Sequence, residues 1–177
     1  MYLVNTRPNM CFTVNTLSQH MVEPKRLQYV AAKHVLRYIA VNVDFGLDYI
    51  RGDGVRLTGY SDSDWVGCVV DRKSTFGCCF GLGSVVMSWL SRKQNSVALS
   101  SSEAEYMAVS QSSCEAMWLR KILFGLFGQE LRPTMIYCDN QSCIKLSKNL
   151  VFHDRSKHID SRDQISLYPG LGSEGSC

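Results

Sequence analysis

Three acidic residues occupy positions where a packed fold seldom needs a charge. Asp62 and Asp139 each end a predicted strand, and Glu105 lies near the start of a long helical pattern. Carboxylates at adjacent strand ends face a shared crevice, where like charges cost free energy unless a cation offsets them. Mg²⁺ prefers oxygen ligands, often carboxylates completed by a substrate phosphate. The pattern therefore predicts a divalent-metal site at Asp62, Glu105 and Asp139.

Glu103 competes with Glu105 for the position that faces the sheet. Helical steps from Glu105 reach mostly apolar or small residues: Val109, Ser112, Ala116, Leu119 and Leu123. Steps from Glu103 reach a more mixed set: Met107, Ser110, Cys114 and Lys121. The periodicity predicts that Glu105 points inward. Two alternatives concern the helix start, since either Ser102 with Glu105 or Ser100 with Glu103 fits the Ser-x-x-Glu capping box.

The elements that must position these acids follow the order βββαβα, preceded by an amphipathic helix. Such an order is typical of a mixed sheet covered by helices. A packed histidine, His34, is expected on the apolar face of the first helix, with Pro24 in its first turn. The predicted elements are a helix over Glu23–Ala40, a hairpin of Phe45–Ile50 and Val55–Tyr60, strands over Ser74–Leu82 and Val85–Ser91, a helix over Ser102–Phe124, a strand over Thr134–Cys138 and a helix over Asn140–Lys148.

Composition limits the class of protein but leaves its partner open. The 177 residues are 45% hydrophobic and 20% charged, which is typical of a globular protein. The net charge of +3 permits a polyanionic partner without requiring one. No apolar run is long enough for a bilayer, and no secretory signal is visible, so we expect no membrane association and an intracellular location, cytoplasmic or nuclear.

Eight cysteines raise the question of disulfides or zinc. Several lie in apolar runs, where a free thiol behaves as a small hydrophobe, so we expect them reduced. Cys138, Cys143, His153 and His158 form a loose two-Cys, two-His pattern. The gap between the pairs is short and Cys138 falls within a predicted strand, so this pattern disfavours a zinc site.

Several segments around the acids resemble the ribonuclease H region of copia-type LTR retrotransposon Pol. They run in order, at matching spacings, across Gly59–Asp160: GYSDSDWVG, DRKSTFGCCF, SWLSRKQNSVALSSSEAEYMA, WLRKIL and IYCDNQSCIKLSKNLVFHDRSKHID. Residues 1–50 resemble the tail and connection of the reverse transcriptase in the same polyprotein. The polymerase motif YxDD is not in the chain, so no polymerase activity is expected. The resemblance implies an α/β, ribonuclease H-like mixed sheet over residues 55–160 with a helical N-terminal extension.

The same resemblance implies a set of site residues. Asp62, Glu105 and Asp139 match the first three metal ligands, with Asp64 as the alternative to Asp62. Asp160 would be the fourth ligand, and His158 a proton shuttle. The implied reaction is two-metal hydrolysis of the RNA strand of RNA–DNA hybrids with Mg²⁺, or Mn²⁺ as the alternative. The implied partners are the hybrid and the reverse-transcriptase portion of the polyprotein. Candidate nucleic-acid contacts are Ser100, Ser101, Ser102, Arg72, Lys73, Arg92 and Lys93.

After Asp160 the chain departs from this pattern. Relatives by resemblance continue into an aromatic-rich amphipathic helix, whereas this chain reads SRDQISLYPGLGSEGSC. Its glycines and proline predict a disordered tail over residues 161–177. Two hypotheses follow. The chain is either a metal-dependent ribonuclease or a catalytically impaired relic with the same fold and at most nucleic-acid binding.

Overall fold

A computed structural model describes residues 2–50, 56–68, 71–128, 130–148 and 165–169. Most of these residues belong to five helices and five strands, with a 3-10 turn at Pro8–Met10. The helices are α1 (Tyr2–Thr6), α2 (Cys11–Ser18), α3 (Arg26–Val41), α4 (Ser101–Phe127) and α5 (Gln141–Lys148). The strands are β1 (Leu57–Asp64), β2 (Thr75–Leu82), β3 (Val85–Lys93), β4 (Thr134–Cys138) and β5 (Ile165–Pro169).

The strands form one mixed sheet in the order β3-β2-β1-β4-β5. β1, β2 and β3 are a consecutive antiparallel meander. β4 pairs parallel to β1, and α4 provides the long crossover that a parallel connection requires. The predicted mixed sheet with flanking helices is confirmed, and so are the βββαβα order and the meander.

The main core lies between the sheet and α4. Alternate β1 residues, Leu57, Gly59 and Ser61, are buried, and the side chains of Phe80 and Ile136 are fully buried. The inward stripe of α4 matches the prediction, since the residues in helical phase with Glu105 are all buried: Val109, Ser112, Ala116, Leu119 and Leu123. A methyl group on Gly59 would lie 2.6 Å from the Phe80 ring, so β1 needs glycine there to let the layers approach.

The N-terminal helices are anchored on the outer antiparallel strand. The Trp89 indole N–H donates to the Val4 carbonyl at 2.6 Å, and the Asn15 amide donates to the Ser91 carbonyl at 2.6 Å. These bonds join residues distant in sequence and tie the helical extension to β3.

Three predictions in this region are wrong. The helix begins at Arg26 rather than Glu23, so Pro24 precedes it. His34 is exposed, and no residue of α3 is fully buried although α2 contacts this helix. Residues 45–50 form no strand, so the predicted hairpin lacks its first arm. An apolar face predicts burial only when another element packs on it.

The expectation of a disordered tail is wrong for Ile165–Pro169. These residues form β5, which pairs parallel to β4 on the side of β4 opposite β1. Leu167 is half-buried and packs against the core, which supplies a physical reason for order. The other residues of the tail lie outside the described part of the chain. Within the described residues, no helix is long and apolar enough to cross a membrane.

Candidate metal centre

Two of the predicted acids lie at the same edge of the sheet. Tyr60 of β1 is in register with Tyr137 of β4, so Asp62 and Asp139 each follow that pair by two residues. Both carboxylates are exposed and line one cavity of about 670 Å³, together with Asp64. Parallel strands therefore bring the carboxylates into one crevice, as the sequence predicted.

Glu105 approaches the same place from the first turns of α4. Its side chain is only 6% exposed. One carboxylate oxygen accepts a hydrogen bond from the Ser63 N–H at 3.1 Å, which fixes it beside the end of β1. The other accepts from the Cys138 thiol at 3.8 Å. Ligand atoms of Glu105, Cys138 and Asp139 all lie within 4.8 Å of one another.

The start of α4 explains why Glu105 is free to face inward. The Ser100 hydroxyl accepts from the Glu103 N–H at 3.1 Å, and the Glu103 carboxylate accepts from the Leu99 N–H at 2.8 Å. The cap is therefore formed by Ser100 with Glu103, and the alternative with Ser102 and Glu105 is wrong. Glu103 satisfies the helix terminus while Glu105 faces the sheet.

Burial and neighbouring charge destabilise the ionised form of Glu105. Burial, then the charges of Cys138, Asp62 and Asp139, raise the pKa of the Glu105 carboxyl to about 8, against a bond from Ser63 that lowers it. A cation held among these groups would reverse that balance by favouring the carboxylate. The donor set and its unfavourable charge therefore fit a divalent ion.

The structure bears on the choice between Asp62 and Asp64. Asp62 is one of the charges that raise the pKa of Glu105. Asp64 closes β1, and its carboxylate lies over the following turn, where a methyl group on Gly67 would be 2.2 Å from Asp64 Oδ2. The Ser63 N–H donates to Asp62 at 2.8 Å and to Glu105 at 3.1 Å, so Asp62 lies beside Glu105. His158 and Asp160 lie outside the described residues and stay predictions.

The predicted nucleic-acid contacts are spread around the centre. Ser100 caps α4, with Ser101 and Ser102 in its first turn. Arg72 is exposed and has a left-handed backbone, with φ of 54°, and Lys73 next to it is half-buried.

Arg92 and Lys93 line a second cavity of about 410 Å³. Arg92 is exposed. Lys93 forms a salt bridge with Asp71 at 2.8 Å, and this bond holds the pKa of the Asp71 carboxyl near 2. Of these two cations, Arg92 is therefore the better placed for a phosphate.

Two contacts at the centre are not predicted by the sequence. Cys138 is a buried core thiol, as expected, but it also contacts Glu105, because strand alternation places it on the same face as Ile136, toward α4. Gln94 is buried, and its amide donates to the Ser63 hydroxyl at 3.2 Å and to the Ala104 carbonyl at 2.9 Å. Gln94 thereby links the end of β1 to α4, and nothing in the local sequence signals that contact.

Comparison with known proteins gives close relatives, although no family model matches the chain. It is 44% identical over 158 residues to the retrovirus-related Pol polyprotein from transposon RE2 of Arabidopsis thaliana, covering 89% of this chain and 11% of that protein. It is 38% identical over 160 residues to the Pol polyprotein from transposon TNT 1-94 of Nicotiana tabacum, covering 90% of this chain and 12% of that protein. It is also 47% identical over 120 residues to secreted RxLR effector protein 161 of Plasmopara viticola, covering 67% of this chain and 84% of that protein.

Two of the solved structures that are similar to the chain are ribonuclease H proteins. The N-terminal RNase H domain of a Mycobacterium tuberculosis protein has a TM-score of 0.45 and 12% identity, covering 66% of this chain and 84% of that chain. LC11-RNase H1, solved in complex with an RNA/DNA hybrid, has a TM-score of 0.43 and 9% identity, covering 64% of this chain and 86% of that chain.

The observed sheet order, the covering helix α4 and the carboxylates at one sheet edge define the class, a ribonuclease H-like α/β domain. The chain belongs to the retrovirus-related Pol polyproteins of copia-type transposons. It spans about a ninth of the length of the polyproteins that it matches.

Proposed function

We propose that this chain is a metal-dependent endonuclease that hydrolyses the RNA strand of RNA–DNA hybrids. The observation that carries the proposal is the meeting of three carboxylates, Asp62, Glu105 and Asp139, at one edge of the sheet. Burying Glu105 beside two other acids makes the free energy of folding less favourable, whereas a bound cation is stabilised by such a set of carboxylates.

The three acids would have different parts in holding Mg²⁺. Glu105 is fixed by the Ser63 N–H and by Cys138, so it offers a positioned oxygen from the protein side. Asp62 and Asp139 are exposed, so they leave room for a substrate phosphate on the cavity side. Bound Mg²⁺ lowers the pKa of a water nucleophile and stabilises charge on the leaving oxygen. Asp160 as fourth ligand and His158 as proton shuttle belong to the same proposal.

The proposed substrate, the RNA strand of an RNA–DNA hybrid, differs from DNA by its 2′-hydroxyl groups. An enzyme that cuts only the RNA strand must contact the 2′-hydroxyl, the group that distinguishes RNA from DNA. Ser100, Ser101 and Ser102 offer small polar groups at the start of the helix that carries Glu105. Arg92 offers an exposed cation near the same end of α4, where Glu103 lines the same cavity.

The test is cleavage of a labelled RNA–DNA hybrid by the purified chain in Mg²⁺. We expect Asp139→Asn to lower the rate by about 100-fold or more, because a lost metal ligand removes several kcal/mol of transition-state stabilisation. Asp44→Asn is the matched control, since Asp44 is an exposed acid in the turn after α3. Equal cleavage by the parent and Asp139→Asn would overturn the assignment of the site.

A second candidate is the catalytically impaired relic. The observation in its favour is that Ile165–Pro169 forms an edge strand, whereas the polyproteins that the chain resembles are expected to continue into a helix after the position of Asp160. In the same assay, hybrid binding by the parent without cleavage would favour the relic and refute the nuclease.

A further inference from the structure

The candidate metal centre contains a sulfur ligand that Mg²⁺ chemistry does not use. Cys138 is the last residue of β4, directly before Asp139, and its side chain faces α4. Its sulfur lies 3.8 Å from a carboxylate oxygen of Glu105, and ligand atoms of Glu105, Cys138 and Asp139 lie within 4.8 Å of one another. Hard ions such as Mg²⁺ take oxygen ligands, so the Cys138 sulfur is not a metal ligand in the proposed hydrolysis.

The spacing of these atoms fits a softer ion. Zinc binds sulfur at about 2.3 Å and carboxylate oxygen at about 2.1 Å, so two such ligands on a tetrahedral ion lie about 3.6 Å apart. The observed distance between Cys138 and Glu105 is 3.8 Å. Small side-chain rotations would bring the exposed Asp139 carboxylate to the same ion, with water completing the shell.

Burial favours the sulfur as a ligand on the protein side. Cys138 is 1% exposed and Glu105 6% exposed, whereas Asp139 opens to the cavity. An ion would therefore enter past Asp139 and meet the two buried groups. Cys143 is fully buried and lies in the same core cluster as Cys138, so the sulfur is enclosed on the protein side.

We infer that Glu105, Cys138 and Asp139 form a binding site for a thiophilic divalent cation such as Zn²⁺ or Cd²⁺. As the metal bonds form, the Cys138 thiol and the protonated Glu105 carboxyl each release a proton to water. The set differs from the two-Cys, two-His pattern, because it pairs one thiol with two carboxylates. If the proposed nuclease function holds, an ion bound here occupies ligands of Mg²⁺ and stops hydrolysis.

The test is titration of the reduced, full-length chain with Cd²⁺ in the absence of nucleic acid, followed by the sulfur-to-cadmium charge-transfer absorption. We expect saturation of a tight site and at least a tenfold loss of affinity in Cys138→Ser. Cys114→Ser is the matched control, since Cys114 is a half-buried cysteine on α4 outside this cluster, and it should bind as the parent does.

A second variant keeps the test valid if Cys138→Ser does not fold. Glu105→Gln keeps the thiol, and it should weaken Cd²⁺ binding while its circular dichroism remains that of the parent. X-ray absorption of the Zn²⁺ form should show sulfur and oxygen in the first shell. Equal Cd²⁺ affinity in the parent, Cys138→Ser and Glu105→Gln would overturn the inference. Because this readout needs no cleavage, a chain that binds Cd²⁺ at Cys138 but cuts no hybrid would refute only the nuclease.

Discussion

Replacing Glu105 with glutamine should change how the stability of the protein depends on pH. The pKa of the Glu105 carboxyl is raised to about 8 from 4.5, first by burial and then by the charges of Cys138, Asp62 and Asp139. Between these pH values the folded chain keeps a proton at Glu105 that the unfolded chain has lost. The free energy of unfolding of the metal-free parent should therefore fall as pH rises through this interval.

The size of the effect follows from the same interval. Each pH unit costs up to about 1.4 kcal/mol when one proton separates the two states. From 4.5 to about 8 the loss is at most about 5 kcal/mol, a large share of the 5–15 kcal/mol of a typical domain. The favourable contribution is complete below pH 4.5 and is lost once the pH passes 8. Glu105→Gln has no proton to lose, so its own curve should lack this fall.

The assay is urea unfolding followed by tryptophan fluorescence, in EDTA, at several values between pH 5 and pH 8.5. We expect Glu105→Gln and the parent to agree within about 1 kcal/mol at pH 5, where both side chains are neutral. At pH 8.5 the variant should be more stable by a few kcal/mol. Glu103→Gln retains Glu105, so it should show the pH dependence of the parent. Parallel curves for the parent and Glu105→Gln would refute the reasoning.

Three further predictions concern packing, a buried hydrogen bond and the partner. Gly59→Ala should destabilise the fold by about 1–3 kcal/mol, because its methyl group would lie 2.6 Å from the fully buried Phe80 ring. Ser112→Ala should cost about 1–2 kcal/mol, because the Ser112 hydroxyl donates to the buried Ser61 hydroxyl at 3.0 Å. Arg92→Gln should weaken hybrid binding and lower the slope of log K against log salt by about 1, if it contacts one phosphate.

Each of these has a matched control. Gly77→Ala places a methyl group 4.0 Å from its nearest neighbour, so it should be tolerated in denaturant unfolding. Ser110→Ala changes a half-buried serine of α4 and should alter stability by less than about 0.5 kcal/mol. Lys121→Gln removes an exposed cation about 24 Å along α4 from Glu105 and should keep the salt slope. A variant that behaves like its control would contradict the corresponding prediction.

Local sequence patterns predicted most of the helices and strands. Alternation and helical period predicted the meander, the long helix α4 and the strand before Asp139, because those residues meet a partner on the expected face. The same reasoning predicted the helix α3 but failed for the burial of His34, which is exposed, and for residues 45–50, which form no strand. It also failed for Ile165–Pro169, where an available strand edge and the packing of Leu167 outweighed the glycines and proline nearby.

For the candidate site, sequence alone determined the residue types, their order and the helical phase that turns Glu105 inward. Those properties depend on periodicity within one element. The tertiary structure decided that Ser100 and Glu103 form the cap, that Asp62 and Asp139 share a cavity, and that Cys138 touches Glu105. Such contacts join separate elements, and the burial that shifts the pKa of Glu105 exists only once the sheet and α4 have packed together.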